Sequence, residues 1–197
     1  LISKVEEYIK RFNKMNIKRG DIVSFMMLNN PDIIFMWFAL SKLGATANLI
    51  KFDEAEDRIR DILVKTKSKY FFITDVPLIT KKVSKGTKEV DTLDSIICMS
   101  LFEELSSIQK LNMLMGNAKG KVQSNNIKLI YKELENILTD MKRQESEFNL
   151  YKIDKRFISF KDFMKLTNGG KLLNKPMGIG SDTSVIVYTG GTTGNAK

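Results

Sequence analysis

The sequence predicts an α/β fold: a largely parallel, doubly wound sheet with helices on both faces. Three observations lead there. Short apolar runs recur at residues 22–28, 46–50, 70–74 and 95–99. Between them lie stretches whose apolar residues fall at helical spacing and whose ends carry capping residues. Neither a repeat nor a long linker breaks the alternation. Strands that alternate with helices of ~10–15 residues pair in parallel, because the crossover carries the chain back to the same edge.

The elements follow in order. Val5, Tyr8, Ile9, Phe12 and Met15 fall at helical spacing, and Ser3 with Glu6 can form a capping box. After Lys18-Arg19-Gly20-Asp21 comes the first strand, 22–28. Asn30 then caps a second helix with Pro31 at its first position, Asp32 in its first turn, Lys42 in its last and Gly44 just beyond. This helix is apolar nearly all round and is expected to be buried, with Met36, Trp37 and Phe38 in the core. Residues 46–50 form the next strand. Asp53 caps a third helix through Ile59, Ile62 and Leu63, with Glu54, Glu56 and Asp57 suited to its dipole. Residues 70–74 are a strand, Asp75-Val76-Pro77 opens a helix, and 95–99 is a further strand.

The middle is less regular. Residues 112–126 read as a surface loop or insertion. Ile127, Ile130, Leu134, Ile137, Leu138 and Met141 make a helical stripe suited to packing on the sheet. Ser159 and Asp162 can cap a short helix through Phe163 and Leu166, and 167–183 is a loop holding Gly169, Gly170, Pro176, Gly178 and Gly180. The expected organisation is an alternating part (1–111), a loop or insertion (112–126), helices and loop (127–183), and a strand with a phosphate-binding loop (184–197).

Composition narrows the chemistry. The 197 residues include no histidine and one cysteine, Cys98. These residues cannot supply a Ser-His-Asp or Cys-His site, an imidazole metal ligand, an internal disulfide or a cysteine-based zinc site. An intracellular, cytoplasmic protein is expected. The longest apolar run, residues 33–40, is far shorter than the ~20 residues of a membrane span, which leaves peripheral membrane association open. Net charge is +9. The nearest thing to a basic arm, Lys81, Lys82, Lys85 and Lys88, has no interleaved aromatics, so no nucleic-acid partner is expected. Residues 151–197 carry 8 basic and 3 acidic side chains, a skew that suits an anionic ligand at that end. The sequence also opens inside a helical pattern and closes inside a glycine-rich motif, so a fragment of a longer protein is expected.

That motif carries the chemistry. Residues 184–188 (Ser-Val-Ile-Val-Tyr) are β-rich and run into Thr189, Gly190, Gly191, Thr192, Thr193, Gly194, Asn195, Ala196 and Lys197. Glycines let the backbone turn its N–H groups into an anion nest, threonine hydroxyls add donors for phosphate oxygens, and lysine adds a point charge. The Walker pattern fails, because Ala196 stands where its second glycine would be. The dinucleotide pattern fails too, because Gly178 and Gly180 are followed by Thr183.

Residues 188–197 resemble the signature loop of the adenylate-forming enzymes: acyl-CoA synthetases, peptide-synthetase adenylation domains and luciferases. The family form is Tyr-Thr-Ser/Gly-Gly-Thr-Thr-Gly-x-Pro-Lys, and the one departure is Ala196 in place of proline. Upstream, Arg19-Gly20-Asp21-Ile22-Val23, Asn30-Pro31, Leu40-Ser41-Lys42-Leu43-Gly44-Ala45 and Asp182-Thr183-Ser184 resemble family segments as well. Residues 1–75 and 155–197 are covered well. The resemblance implies the N-terminal part of the large adenylate-forming domain, with its remainder and a C-terminal domain still to follow.

It also implies a ligase that activates a carboxylic acid with ATP and Mg²⁺, in fatty-acid or related metabolism, with CoA as second substrate. Thr189, Gly190, Gly191, Thr192, Thr193, Gly194 and Lys197 would hold the β- and γ-phosphates, with Thr192 or Thr193 near the magnesium and Lys197 as the neutralising catalytic residue. These 197 residues alone are expected to be inactive. Two alternatives stay open at this point: an amino-acid-activating adenylation domain, and a non-catalytic nucleotide-binding or interaction module.

Overall fold

In a computed structural model, which describes residues 1–99, 154–167 and 176–188, the alternating pattern becomes six strands and five α-helices among the described residues. The strands are β1 (Ile22–Met26), β2 (Thr46–Leu49), β3 (Tyr70–Thr74), β4 (Ser95–Met99), β5 (Phe157–Ser159) and β6 (Val185–Val187). The helices are α1 (Ile2–Lys14), α2 (Pro31–Leu43), α3 (Glu56–Thr66), α4 (Pro77–Gly86) and α5 (Phe160–Met164). The strands form one sheet in the order β5-β4-β3-β1-β2-β6, every neighbouring pair parallel. The segments 100–153, with its expected insertion and helical stripe, and 168–175 lie outside the described residues, as does 189–197.

Chain direction sorts the helices. From β1 the chain moves one way to β2, then crosses back past β1 to β3 and on to β4. Crossovers of one hand then place their helices on opposite faces once the direction reverses. The burial agrees. Val23, Phe25, Tyr70, Phe72 and Ile97 pack with Val5, Tyr8, Ile9 and Phe12 of α1, Met36, Leu40 and Leu43 of α2, and Phe160 and Phe163 of α5. The alternate strand residues Met26, Phe71, Ile73 and Ile96 point the other way, where Ile59, Ile62 and Leu63 of α3 and Ile79 and Val83 of α4 are buried.

The caps of α2 are as the sequence predicts. Asn30 accepts the Asp32 amide at 2.8 Å, Pro31 opens the helix, and Gly44 closes it in the left-handed region at φ 72°. A β-carbon at Gly44 would also meet the Arg19 side chain at 2.7 Å. In addition the Tyr8 hydroxyl donates to buried Asp32 at 2.6 Å and ties α1 to this turn.

Three expectations are corrected. Helix α1 begins at Ile2 with Leu1 as its cap, so Ser3 is already inside the first turn and no capping box forms. Helix α3 begins at Glu56 with Ala55 as its cap; Asp53 sits in the preceding turn, and Glu56 and Asp57 alone answer the helix dipole. Helix α2 is not buried all round. Met36 is fully buried, but Ile34, Trp37 and Phe38 are 51%, 36% and 42% exposed. The sequence also did not predict β5, and it ran β1 two residues too long.

Tyr70 makes one part of this core sensitive to alkali. Its hydroxyl donates to the Met15 carbonyl. Burial, with the carboxylates of Asp94 and Asp21, pushes its phenol from 10.0 up to about 12. A raised folded-state value favours the protonated phenol, so this stability is whole below the unfolded value of ~10 and is lost as pH rises from there through the folded value. Tyr70→Phe is expected to flatten the fall of the urea midpoint between about pH 10 and pH 12. An unchanged slope would assign that fall to other groups.

Candidate phosphate-binding site

Strand β6 extends the sheet beyond β2, with Ala47 opposite Val185, Asn48 opposite Ile186 and Leu49 opposite Val187. Because the pair is parallel, both chains leave the sheet at the same end. The chain passes through Tyr188 and enters the Thr/Gly run. Ligands of open parallel sheets gather beyond the carboxyl ends of the strands, where backbone amides and loop residues converge. Thr189, Gly190, Gly191, Thr192, Thr193, Gly194 and Lys197 lie outside the described residues. The described residues provide the mount of that loop.

The mount is a strap over the end of α2. Backbone amides of Met177 and Gly178 donate to the Lys42 carbonyl at 2.8 and 3.3 Å. Gly178 lies so close to α2 that a β-carbon there would stand 2.2 Å from the Ser41 carbonyl oxygen. Arg19 grips Asp182 with two nitrogens, Nη2 at 2.7 Å and Nε at 3.0 Å, and Asp182 accepts the Ile179 amide at 2.9 Å. The Arg19 guanidinium, aided by that amide, holds the Asp182 carboxyl below the ordinary carboxylate range. Thr46 Oγ1 donates to the Thr183 carbonyl at 2.7 Å. Ser184 Oγ accepts from Trp37 Nε1 at 2.8 Å and lies 2.8 Å from Ser41 Oγ. Trp37, expected in the core, is thus a polar handle on the strap.

Tyr188 is half-buried. Burial raises its phenol, while Asn48 and the Arg58 charge beside it pull the other way. A cleft of about 560 Å³ lies near the strap between Arg19, Gly20, Ile22, Gly44, Thr46, Asp182, Thr183 and Ile186. It opens at the amino ends of β1, β2 and β6, away from the carboxyl end at which the chain leaves β6 toward Tyr188. Among the described residues no group of three or more His, Cys, Asp or Glu could hold a metal ion. No described helix is long and apolar enough to cross a membrane.

Sequence reasoning missed Arg19 as a partner of Asp182 and Trp37 as a partner of Ser184. The Arg19-Gly20-Asp21 run was visible before β1, but nothing local ties it to a carboxylate 163 positions away.

A solved structure shares this architecture. The crystal structure of the anthranilate CoA ligase AuaEII in complex with anthranoyl-AMP superposes with a TM-score of 0.58 at 14% identity, over 98% of this chain and 27% of that one. At that identity the likeness speaks for the fold. The Mycobacterium tuberculosis fatty acyl CoA synthetase aligns with a TM-score of 0.44 at 22% identity, over 48% of this chain and 19% of that one. In sequence, the mouse (Mus musculus) long-chain fatty acid transport protein 6 is 50% identical over 32 residues, which are 16% of this chain and 5% of that protein. The chain therefore spans a small part of the length of each of these proteins. The sequence pattern of the AMP-binding enzymes matches residues 2–197, and with the parallel sheet and strapped β6 on the page, the chain belongs to the AMP-binding enzyme family.

Proposed function

We propose that this chain carries the nucleotide-phosphate end of an AMP-forming acid–thiol ligase, an acyl-CoA synthetase. The observation that carries the reading is a strapped parallel edge strand, β6, that feeds directly into a run of threonines and glycines ending in lysine. In the proposed reaction a carboxylate oxygen of the acid attacks the α-phosphorus of ATP. The bond from that phosphorus to the bridging oxygen of the β-phosphate breaks, and pyrophosphate leaves with the electron pair. The acyl-adenylate then passes its acyl group to the thiol of CoA and releases AMP.

The first step develops charge on the departing pyrophosphate. Backbone amides of Gly190, Gly191 and Gly194, hydroxyls of Thr189, Thr192 and Thr193, and the Lys197 ammonium are the proposed donors. Preorganised donors of this kind stabilise a transition state without any side chain acting as nucleophile, so a chain without histidine is suited to the task. Mg²⁺ is a hard cation that prefers oxygen ligands; held by the phosphates, with Thr192 or Thr193 near it, it would add charge neutralisation. The stretch shared with a long-chain fatty acid transport protein makes long-chain fatty acids the first acids to test.

The test is ATP–pyrophosphate exchange by the full-length protein against a panel of carboxylic acids and amino acids. Exchange with a fatty or other organic acid is expected. Exchange with amino acids alone would favour an adenylation domain instead. Lys197→Ala and Thr193→Ala are each expected to slow exchange by about 10- to 100-fold, since a hydrogen bond to a charged group contributes about 1.5–3 kcal/mol. Wild-type kinetics in both variants would remove this loop from the mechanism.

A further inference from the structure

The lysines at 81, 82, 85 and 88 have no part in the proposed reaction, and the fold arranges them. In α4, Leu78, Lys81, Lys82 and Lys85 fall at i, i+3, i+4 and i+7, one stripe about 10 Å long. Ile79 and Val83 are buried on the opposite side of the helix. The stripe therefore faces away from the core. Leu78 is 77% exposed, and Lys81, Lys85 and Lys88 are exposed as well. Lys82 is half-buried and donates its Nζ to the Phe52 carbonyl at 3.3 Å, which places exposed Phe52 alongside.

The charge on this face has one sign. Helix α4 contains three lysines and no acidic residue. Glu56 of α3 answers Lys85 at 3.1 Å, Asp53 and Glu54 follow Phe52, and Glu89 follows Lys88. Lys81 and Lys82 have no carboxylate within ion-pair distance among the described residues. Lysine stems are long enough to carry their ammonium groups out past a neighbouring leucine. Cations around protruding apolar side chains match an anionic lipid surface: charge draws the protein in, and the apolar side chains enter the headgroup boundary.

We propose that the outer face of α4, with Phe52 beside it, docks on an anionic lipid membrane. Lys81, Lys82 and Lys85 meet the lipid phosphates, and Leu78 and Phe52 enter the headgroup region. A nucleic acid needs aromatic platforms between the lysines, and an acidic peptide needs a groove to lie in. Helix α4 offers a convex ridge, which is all that a bilayer requires. The contact is peripheral, made from the side of a helix of 10 residues. None of these residues belongs to the proposed phosphate loop, and the docking requires nothing of it.

The experiment sediments the full-length protein with phosphatidylcholine vesicles, with and without phosphatidylserine. Binding is expected only to the vesicles that contain phosphatidylserine. It should fall away as salt rises toward ~1 M, where the screening length shrinks to about 3 Å. Lys81→Ala is expected to weaken binding about fivefold, and the Lys81→Ala, Lys85→Ala pair about 25-fold, the loss expected for lysines at a lipid surface. Leu78→Ser is expected to weaken it roughly fivefold without altering its salt dependence. Because these side chains are exposed, the urea midpoint should hold in all three variants; a merely structural role would move the midpoint and leave vesicle binding alone. Equal binding to pure phosphatidylcholine, or no binding to either vesicle, overturns the proposal. So does wild-type binding by both the lysine pair and Leu78→Ser. Retention on polyuridylate with the vesicles ignored would assign the lysines to nucleic acid and overturn it too. ATP–pyrophosphate exchange has no place in these readouts, so failure here leaves the proposed ligase reaction untouched.

Discussion

Phe163→Ala is expected to lower the stability of the described unit by about 3–5 kcal/mol, the range for removing a fully buried phenylalanine. Phe163 is 0% exposed and sits on α5, the short helix after β5. Its ring meets Tyr8 at 6.2 Å, Phe12 at 6.1 Å and Phe160 at 5.5 Å, and it stands edge-on to Phe72 at 5.2 Å. One residue thus joins the first helix, a central strand and its own helix. The surrounding rings are stiff and are themselves packed against one another, so they cannot relax inward and the cavity would persist. The transition should remain cooperative with its slope unchanged while the urea midpoint falls. Phe52→Ala makes the contrast: at 55% exposure it is expected to stay within about 0.5 kcal/mol of the parent. A loss below about 1 kcal/mol at Phe163 would sink the claim that residues 154–167 belong to the core.

That claim also marks where sequence reading reached its limit. Strands β3 and β4 were legible because each is a continuous apolar run, and α2 because Asn30, Pro31 and Gly44 are local signals that act through their own backbone. β5 was not, since Phe157, Ile158 and Ser159 are too few to show a period, and their pairing with β4 is a tertiary fact. Ser3 and Asp53 were plausible caps that lost to helix starts set elsewhere. The burial of α2 was misjudged because composition measures how apolar a helix is, not which of its sides a neighbour covers. The proposed site divides the same way. Its threonines, glycines and lysine are contiguous and could be read in sequence. The hold on Asp182 by Arg19 and the pairing of Asn48 with Ile186 depend on β6 lying beside β2, which no local spacing encodes.

Gly178→Ala tests whether that non-local mount matters, and it should be the most damaging single methyl that can be added to the strap. The new β-carbon would stand 2.2 Å from the Ser41 carbonyl oxygen and 3.2 Å from the Gly44 α-carbon, both backbone atoms. Neither can swing aside as a side-chain end would. The Ser41 carbonyl accepts the Gly44 amide that closes α2, so yielding there opens the helix cap. If the strap lifts instead, Met177 and Gly178 lose the Lys42 carbonyl. Either route places the cost at about 3 kcal/mol, the upper part of the range for overpacking a tight contact. Asp182→Ala should do less to stability, because its ion pair with Arg19 is open to solvent and screened. The functional consequence follows from position. The strap delivers the chain to β6, so lifting it should speed hydrogen exchange at the Ile186 amide, which faces β2 as the Ser184 carbonyl does, and weaken MgATP binding by the full-length protein. Wild-type stability, exchange and MgATP binding in Gly178→Ala would mean that the loop takes its aim from β2 alone, and the close approach of Gly178 to α2 would then have no part in holding it.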